Sequence, residues 1–213
     1  MKVMIVDDHP AVREGLALRI SNQTDMEVCG EAADITDAMN LLESTRPDVV
    51  VIDVQLKTGD GLDLVKRIKA RDQNIRIIVW SVYPDKFYAQ RALSAGALGY
   101  INKEHSTSLI VEAIRRVSEG KVYLCEEMAD KLLNQAVGGN QPLKQTPIES
   151  LSDRELEIFR LIGEGLSTAH LARRLHLSRN TIDTHRQRIK EKLNLADATE
   201  LTQASTRWVL QNK

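Results

Sequence analysis

Apolar and polar residues along the first 118 positions alternate between two patterns. Short continuous apolar runs, rich in β-branched side chains, indicate strands that are buried on both faces. Each run is followed by a stretch with apolar residues at helical spacing, which predicts a helix packed on one side. Five such pairs in succession predict an α/β fold, a doubly wound parallel sheet of five strands with helices on both faces. The predicted strands are Val3–Val6, Val28–Ala32, Val49–Ile52, Ile75–Trp80 and Leu98–Ile101. The predicted helices are marked by Pro10–Ile20, Ala38–Leu42, Leu62–Ile68, Tyr88–Ala95 and Leu109–Val117.

The pattern after residue 150 is helical throughout and predicts an all-α domain of four helices. Serine N-caps open the first three helices, at Ser152, Ser167 and Ser178. A tight turn at His176-Leu177 separates the second helix from the third, and a fourth covers about Ala196–Leu210. This order is typical of a helix-turn-helix, in which the later helix, here 178–193, enters the major groove of DNA.

The residues between the two patterned regions form a predicted connection. Met128–Leu133 has the spacing of a short helix, and Gly138–Pro142 has the composition of a flexible linker that ends near Pro147. The sequence therefore predicts three parts: a domain at 1–120, a linker with a short helix at 121–147, and the helical domain at 148–213.

Composition adds little to the predicted fold but excludes some classes of protein. The chain has 213 residues, an apolar fraction of 42% and a net charge of −1, which permits a real core and predicts no general affinity for polyanions. No apolar run approaches the roughly 20 residues that span a membrane. Charged residues occur too close to the N-terminus for a signal peptide. The two cysteines, Cys29 and Cys125, lack the spacing of metal ligands. A reduced, cytoplasmic chain is the expectation.

Reactive side chains follow four of the predicted strands. Asp7 and Asp8 come after the first, Asp53 after the third, Ser81 after the fourth and Lys103 after the fifth. Ligands of such sheets bind at the carboxyl ends of the strands, so these groups are expected to meet there. Taken singly, each is more simply a helix cap or a solvated charge. Their coincidence at one edge predicts a divalent-metal and phosphoryl site.

Mg²⁺ is the metal that this set of oxygen donors predicts. Adjacent ionised carboxylates repel each other and need a compensating cation. Mg²⁺ takes oxygen ligands, retains waters and is usually held by one or two carboxylates together with phosphate. We expect Asp8 and Asp53 to bind it directly, Asp7 through water, and Gln55 through its backbone carbonyl.

Asp53 has a second predicted role as a nucleophile. A carboxylate attacks a phosphoryl group to form an acyl phosphate, with the metal neutralising the developing charge. Lys103 is expected to pair with one phosphoryl oxygen, and the Ser81 hydroxyl to donate to another.

The third helix of the second domain carries the predicted DNA contacts. With Ile182 and Ile189 inward, polar residues fall on the opposite face. Thr184 and Gln187 are candidate base readers, and Asp183 is a candidate acceptor from cytosine. The basic residues are expected to contact phosphates. The full predicted set is Arg179, Asn180, Thr181, Asp183, Thr184, Arg186, Gln187, Arg188, Lys190 and Lys192.

Several motifs resemble those of a known family. The first domain is similar to a receiver domain in Val6-Asp7-Asp8-His9-Pro10, Val51-Ile52-Asp53-Val54, Val79-Trp80-Ser81 and Ala95-Gly96-Ala97-Leu98-Gly99-Tyr100-Ile101-Asn102-Lys103. The second resembles a LuxR-type domain in Leu151–Glu155, Ser178–His185 and Lys192-Leu193. Together they resemble a two-component response regulator of the NarL/FixJ family over essentially the whole chain.

The resemblance implies a flavodoxin-like receiver in which Asp53 accepts phosphate from a sensor histidine kinase. It implies a switch pair, Ser81 and Tyr100, in which the hydroxyl moves to the phosphoryl group and the ring follows inward. It also implies double-stranded DNA as a partner and a homodimer when active, with part of the contact around Ala196–Ala204. The chain departs from the usual pattern in two places near the acceptor: Lys57 replaces a common proline, and Val82 replaces a small residue.

Three other functions fit parts of the sequence. A magnesium-dependent phosphohydrolase uses the same aspartyl chemistry, but Gln55 stands where its general acid belongs. The helix-turn-helix is also compatible with protein binding, which the salt dependence of DNA binding distinguishes. The last alternative keeps the fold with a receiver that is never phosphorylated.

Overall fold

A computed structural model describes residues 1–56, 59–104, 109–137 and 147–212, without the side chains of 135–137. Lys57 and residues 138–146 of the predicted linker, Gly138–Pro142 included, lie outside the described residues. The chain divides into two compact units, Met1–Val137 and Gly138–Lys213.

The first unit is built on the predicted parallel sheet. Its strands are β1 (Lys2–Val6), β2 (Glu27–Ala32), β3 (Val49–Ile52), β6 (Arg76–Ser81) and β7 (Gly99–Asn102), while β4 (Gln55–Leu56) and β5 (Gly59–Asp60) pair separately. The strand order in the sheet is β2-β1-β3-β6-β7, and the fold class predicted for the chain is confirmed. The helices are α1 (Pro10–Ser21), α2 (Ile35–Thr45), α3 (Gly61–Arg71), α4 (Asp85–Ala95), α5 (Leu109–Ser118) and α6 (Glu126–Val137).

The core lies on both sides of this sheet. Val3 and Ile5 of β1 pack with Leu16 and Ile20 of α1 and with α5 on one face. Met4, pointing the other way, lies near Leu41 of α2 across Gly30. The alternation of side chains along buried strands thus explains why the apolar runs are continuous.

A short hairpin follows the third strand, and the sequence pattern did not indicate it. It comprises β4 (Gln55–Leu56) and β5 (Gly59–Asp60) and leads directly into α3. Gly61 opens α3, and a Cβ there would lie 1.9 Å from the backbone carbonyl oxygen of Asp53. Only glycine permits this approach, which returns the chain against the end of β3.

The segment after α5 also belongs to the first unit. The Tyr123 carbonyl accepts from the Tyr100 N–H at 3.0 Å, and the Tyr123 N–H donates to the Leu98 carbonyl at 2.9 Å. A parallel bridge therefore adds this segment to the edge of β7. The helix that follows, α6, is longer than the predicted Met128–Leu133, with Met128 buried.

The second unit contains a 3-10 turn at Pro147–Ser150 and then, among its described residues, the four predicted helices. They are α7 (Asp153–Gly163), α8 (Thr168–Arg174), α9 (Arg179–Leu193) and α10 (Ala198–Gln211). The three predicted serine caps each accept a backbone N–H, and Ser152 with Glu155 forms a complete capping box. His176 has φ 52° at the turn before α9.

Candidate functional site

The carboxyl edge of the sheet brings the predicted lysine and two of the aspartates into direct contact. The Lys103 ammonium donates to Asp7 Oδ2 at 2.6 Å and to Asp53 Oδ2 at 2.7 Å. All three side chains are nearly buried, with exposed fractions of 10%, 1% and 3%. A cation between two carboxylates satisfies the rule that buried charges are paired.

Strand register explains this meeting of residues distant in sequence. Val6 of β1 pairs with Ile52 of β3, and the Asp53 N–H donates to the Val6 carbonyl at 2.8 Å. On the other side, the Lys103 N–H donates to the Ser81 carbonyl at 2.7 Å. Each reactive residue therefore ends or follows its strand at the same edge.

The electrostatics of Asp53 are unusual. Burial raises the pKa of its carboxyl from 3.8 to about 6, and the neighbouring Asp7 charge adds to the rise. The Lys103 ammonium and the Gln55 backbone N–H oppose it. The second carboxylate oxygen, Asp53 Oδ1, is buried and has no hydrogen-bond partner among the described residues. An ionised carboxylate in this place requires a further positive charge.

The donor set fits a hard divalent cation. Ligand atoms of Asp7, Asp8, His9 and Asp53 lie within 4.8 Å of one another. Asp53 belongs to this group, and one of its oxygens, Oδ1, is buried without a hydrogen-bond partner among the described residues. His9 is a member that sequence reasoning missed, although its place directly after the paired aspartates was the available signal.

The predicted switch residues lie beside this cluster. Ser81 is fully buried at the end of β6, and its hydroxyl accepts the Tyr83 N–H at 3.4 Å. Tyr100 is buried with its ring inward, and its hydroxyl donates to the Tyr83 carbonyl at 2.7 Å. Burial raises the pKa of this phenol well above its usual value. Asn102 Nδ2 donates to the same carbonyl at 3.1 Å.

Tyr83, in the loop after β6, contacts the short strand β4 that follows the acceptor, and the sequence reasoning did not single it out. Its hydroxyl donates to Gln55 Oε1 at 2.7 Å, and its ring stacks on Tyr88 with centroids 4.8 Å apart. Nothing in the spacing of apolar residues indicates this contact, because it joins a loop to a two-residue strand through polar side-chain atoms.

In the second unit, α9 has the two faces that its sequence predicts. Ile182 and Ile189 are fully buried. The exposed residues on the other side are Asn180, Asp183, Thr184, Gln187 and Arg188. Some of these polar groups have partners within the helix: Gln187 Nε2 donates to Glu191 Oε1 at 2.8 Å.

Lys192 differs from the other predicted DNA contacts. Its ammonium donates to Glu155 Oε2 at 2.6 Å and to the Ser150 carbonyl at 3.2 Å. Glu155 is itself nearly buried within the capping box of α7. The lysine thus joins the end of α9 to the start of α7, a long-range contact that helical periodicity does not reveal.

The two units match two known families. Residues 3–115 match the response regulator receiver domain, and residues 149–205 match the bacterial regulatory proteins of the luxR family. The chain belongs to the response regulators. Its receiver precedes a LuxR-type domain, as the resemblance of the motifs predicted.

Curated relatives span the whole of this response regulator. The oxygen regulatory protein NreC of Staphylococcus carnosus is 34% identical over 207 residues, which cover 95% of each chain. The transcriptional regulatory protein LiaR of Bacillus subtilis is 34% identical over 200 residues, or 94% of each. The relatives matched here are named as regulators.

A solved structure has a similar arrangement of the chain. RcsB from Salmonella enterica serovar Typhimurium, bound to the promoter P1flhDC in the presence of phosphomimetic BeF₃⁻, superimposes with a TM-score of 0.70. It is 25% identical and covers 97% of this response regulator and 98% of its own chain. Within the described residues, none of the helices has both the length and the apolar character needed to cross a bilayer.

Proposed function

We propose that this response regulator is a transcription regulator switched by phosphorylation of Asp53 by a sensor histidine kinase. The observation that carries the proposal is the Lys103 ammonium bound to both Asp7 and Asp53 at the carboxyl edge of the sheet. That contact assembles a nucleophile, a phosphate-binding cation and a second carboxylate from three separate strands.

Mg²⁺ fits the cluster, with Asp8 and Asp53 as direct ligands, Asp7 through water and the Gln55 carbonyl as a further oxygen donor. When bound, the ion neutralises negative charge that develops on the phosphoryl oxygens. We assign nucleophilic attack to the Asp53 carboxylate, whose side chain is almost fully buried. It forms the new P–O bond as the P–N bond of the phosphohistidine donor breaks.

Lys103 and Ser81 stabilise the transferred group. The ammonium that now holds two carboxylates is in position to pair with a phosphoryl oxygen, and the hydroxyl of Ser81 donates to another. Tyr100, inward and bound to the Tyr83 carbonyl, is the second member of the switch. Phosphorylation then biases a two-state element around these residues and α4. Beyond its own phosphoryl transfer and hydrolysis we assign the chain no catalytic activity.

The second unit binds double-stranded DNA through α9. Its exposed face carries the candidate base readers Thr184 and Gln187, with Asp183 beside them. Phosphate contacts come from the basic residues and from the start of the helix: Arg179, Asn180, Thr181, Arg186, Arg188 and Lys190. We remove Lys192 from this set because its ammonium is bound to Glu155. Two half-sites require a dimer, to which we assign part of α10.

We assign the receiver to 1–120, a connection with a helix to 121–147 and the DNA-binding domain to 148–213. A regulator that acts on chromosomal DNA works in the cytoplasm. The RcsB structure on promoter DNA supports the assignment, since its chain aligns with this one from end to end.

The test is capture of a phosphoryl group at position 53. Acetyl phosphate with Mg²⁺ should add one phosphoryl group to wild type, seen by intact mass, and none to Asp53→Ala. Asp63→Ala, at an exposed carboxylate of α3, is the matched control and should label like wild type. Equal labelling of all three proteins would overturn the proposal.

Two further measurements separate the remaining alternatives. Repeated turnover of small phosphate esters would indicate a phosphohydrolase, whereas a single stoichiometric capture indicates a receiver. DNA binding should weaken steeply as salt rises, because basic side chains displace counterions from phosphates. Insensitivity to salt would favour a protein-binding module.

A further inference from the structure

His9 occupies the N-cap of α1 directly after the paired aspartates, but it does not cap the helix. Its side chain makes no hydrogen bond to the first turn. Its backbone N–H donates to Asp7 Oδ1 at 2.8 Å, which holds the residue against the acidic cluster. The imidazole therefore faces the acidic cluster and not the first turn of α1.

The imidazole lies against the carboxylates. His9 Nδ1 is 2.8 Å from Asp8 Oδ1 and 3.3 Å from Asp7 Oδ1. Together with Asp53, these groups place one nitrogen and three carboxylate donors within 4.8 Å of one another. The ring is 60% exposed, so it has room to reorient when an ion enters.

Asp53 provides a second, independent sign that the cluster receives a ligand. Its side chain is 3% exposed, and Oδ1 is buried with no hydrogen-bond partner in the described part of the chain. Lys103 contacts only the other oxygen. A buried acceptor without a donor is costly unless something outside the protein satisfies it.

A mixed donor set has a different metal preference from an all-oxygen set. Mg²⁺ prefers oxygen ligands and retains its waters, so a nearby imidazole adds little. Imidazole nitrogen suits first-row transition ions, whose affinity for such sites rises from Mn²⁺ through Co²⁺.

We propose that His9 supplies a nitrogen ligand to the ion bound by Asp8 and Asp53, which gives this pocket a selectivity for first-row transition ions over Mg²⁺. The inference rests on the metal pocket of the proposed function and adds to it the residue that sets ion preference. It assigns the pocket to Mn²⁺ or Co²⁺ as well as to Mg²⁺.

Calorimetry on the full-length, untagged, metal-free protein tests the preference. Co²⁺ should bind wild type at least about tenfold more tightly than Mg²⁺, in line with the ligand preferences above. His9→Ala should weaken Co²⁺ binding by about tenfold or more, because loss of a ligand should cost at least as much as loss of a residue that only hydrogen-bonds to a ligand. The same substitution should change Mg²⁺ binding by less than about threefold. His170→Ala, at an exposed histidine of α8, is the control for unspecific binding and should leave both constants unchanged.

Pulsed electron paramagnetic resonance of bound Mn²⁺ gives a direct readout. Wild type should show ¹⁴N modulation from a coordinated imidazole, and His9→Ala should lack it. Absence of nitrogen coupling in wild type, or an equal loss of Mg²⁺ and Co²⁺ affinity in His9→Ala, overturns the role of His9.

The proposed function is judged separately. If Asp53 still captures acetyl phosphate with Mg²⁺ while the nitrogen coupling is absent, only the role of His9 fails. If wild type binds no divalent ion and captures no phosphate, the pocket itself fails.

Discussion

Replacing Asp53 by asparagine should stabilise the first unit at neutral pH when divalent ions are removed. Burial and the Asp7 charge raise the pKa of Asp53 from 3.8 to about 6. That difference corresponds to about 3 kcal/mol at 1.36 kcal/mol for each tenfold change in proton affinity. The ionised carboxylate is disfavoured in the folded state by this amount, and asparagine removes the charge while nearly keeping the shape.

The pH dependence gives the effect its signature. The folded-state pKa lies above the unfolded value, so the protonated form of Asp53 favours folding, and this contribution is lost as pH rises through about 6. The advantage of Asp53→Asn should therefore be nearly full above about pH 6 and should vanish below about pH 3, where wild type is protonated in both states. Mg²⁺ at a concentration one hundred times its dissociation constant should reduce the difference in unfolding free energy between Asp53→Asn and wild type at pH 7 by about 2.7 kcal/mol.

Urea unfolding in EDTA measures the difference. Trp80 reports the first unit, and Trp208→Phe removes the signal of the second. Asp63→Asn, at an exposed carboxylate of α3, is the control and should stay within about 0.5 kcal/mol of the parent. A lower stability of Asp53→Asn at pH 7, or a gain that is as large at pH 3 as at pH 7, would refute the reasoning.

Four other substitutions test the site and the recognition helix. Lys103→Ala leaves two buried carboxylates unpaired and should cost about 3–5 kcal/mol in urea unfolding without divalent ions. Gly61→Ala forces a methyl group against the Asp53 carbonyl and should lower the free energy of unfolding by about 1–3 kcal/mol. It should also weaken beryllofluoride binding, measured by Trp80 fluorescence in the Trp208→Phe background. Arg188→Ala should lower the salt slope of DNA binding by about one. Lys192→Ala should leave that slope unchanged and reduce the stability of the helical unit, the opposite of what a phosphate contact would do.

Local sequence patterns were sufficient to predict the strands and helices that bury a whole face. Val49–Ile52 is a strand in the structure with the bounds that its β-branched run predicts, because a central strand buries every side chain. The serine caps of the second unit were equally predictable, since a cap depends on residues only three positions apart.

Very short strands and contacts between residues distant in sequence were beyond such patterns. The hairpin after β3 has two residues in each strand, too few for periodicity to register. The Tyr83–Gln55 hydrogen bond joins positions 28 apart, and the Lys192–Glu155 contact joins positions 37 apart. The local spacing around these residues does not indicate which distant side chain each one contacts.

The succession of strands along the chain and the residues at their ends were determined by sequence alone, and with them the expected meeting of Asp7, Asp53 and Lys103 at one edge of a parallel sheet. Only the tertiary structure decided that one ammonium bridges both carboxylates and leaves Asp53 Oδ1 without a partner. The reason is physical. Hydrophobic periodicity reports which side of an element is buried, whereas pairing of charges depends on distances of a few ångströms that arise when separate strands pack side by side.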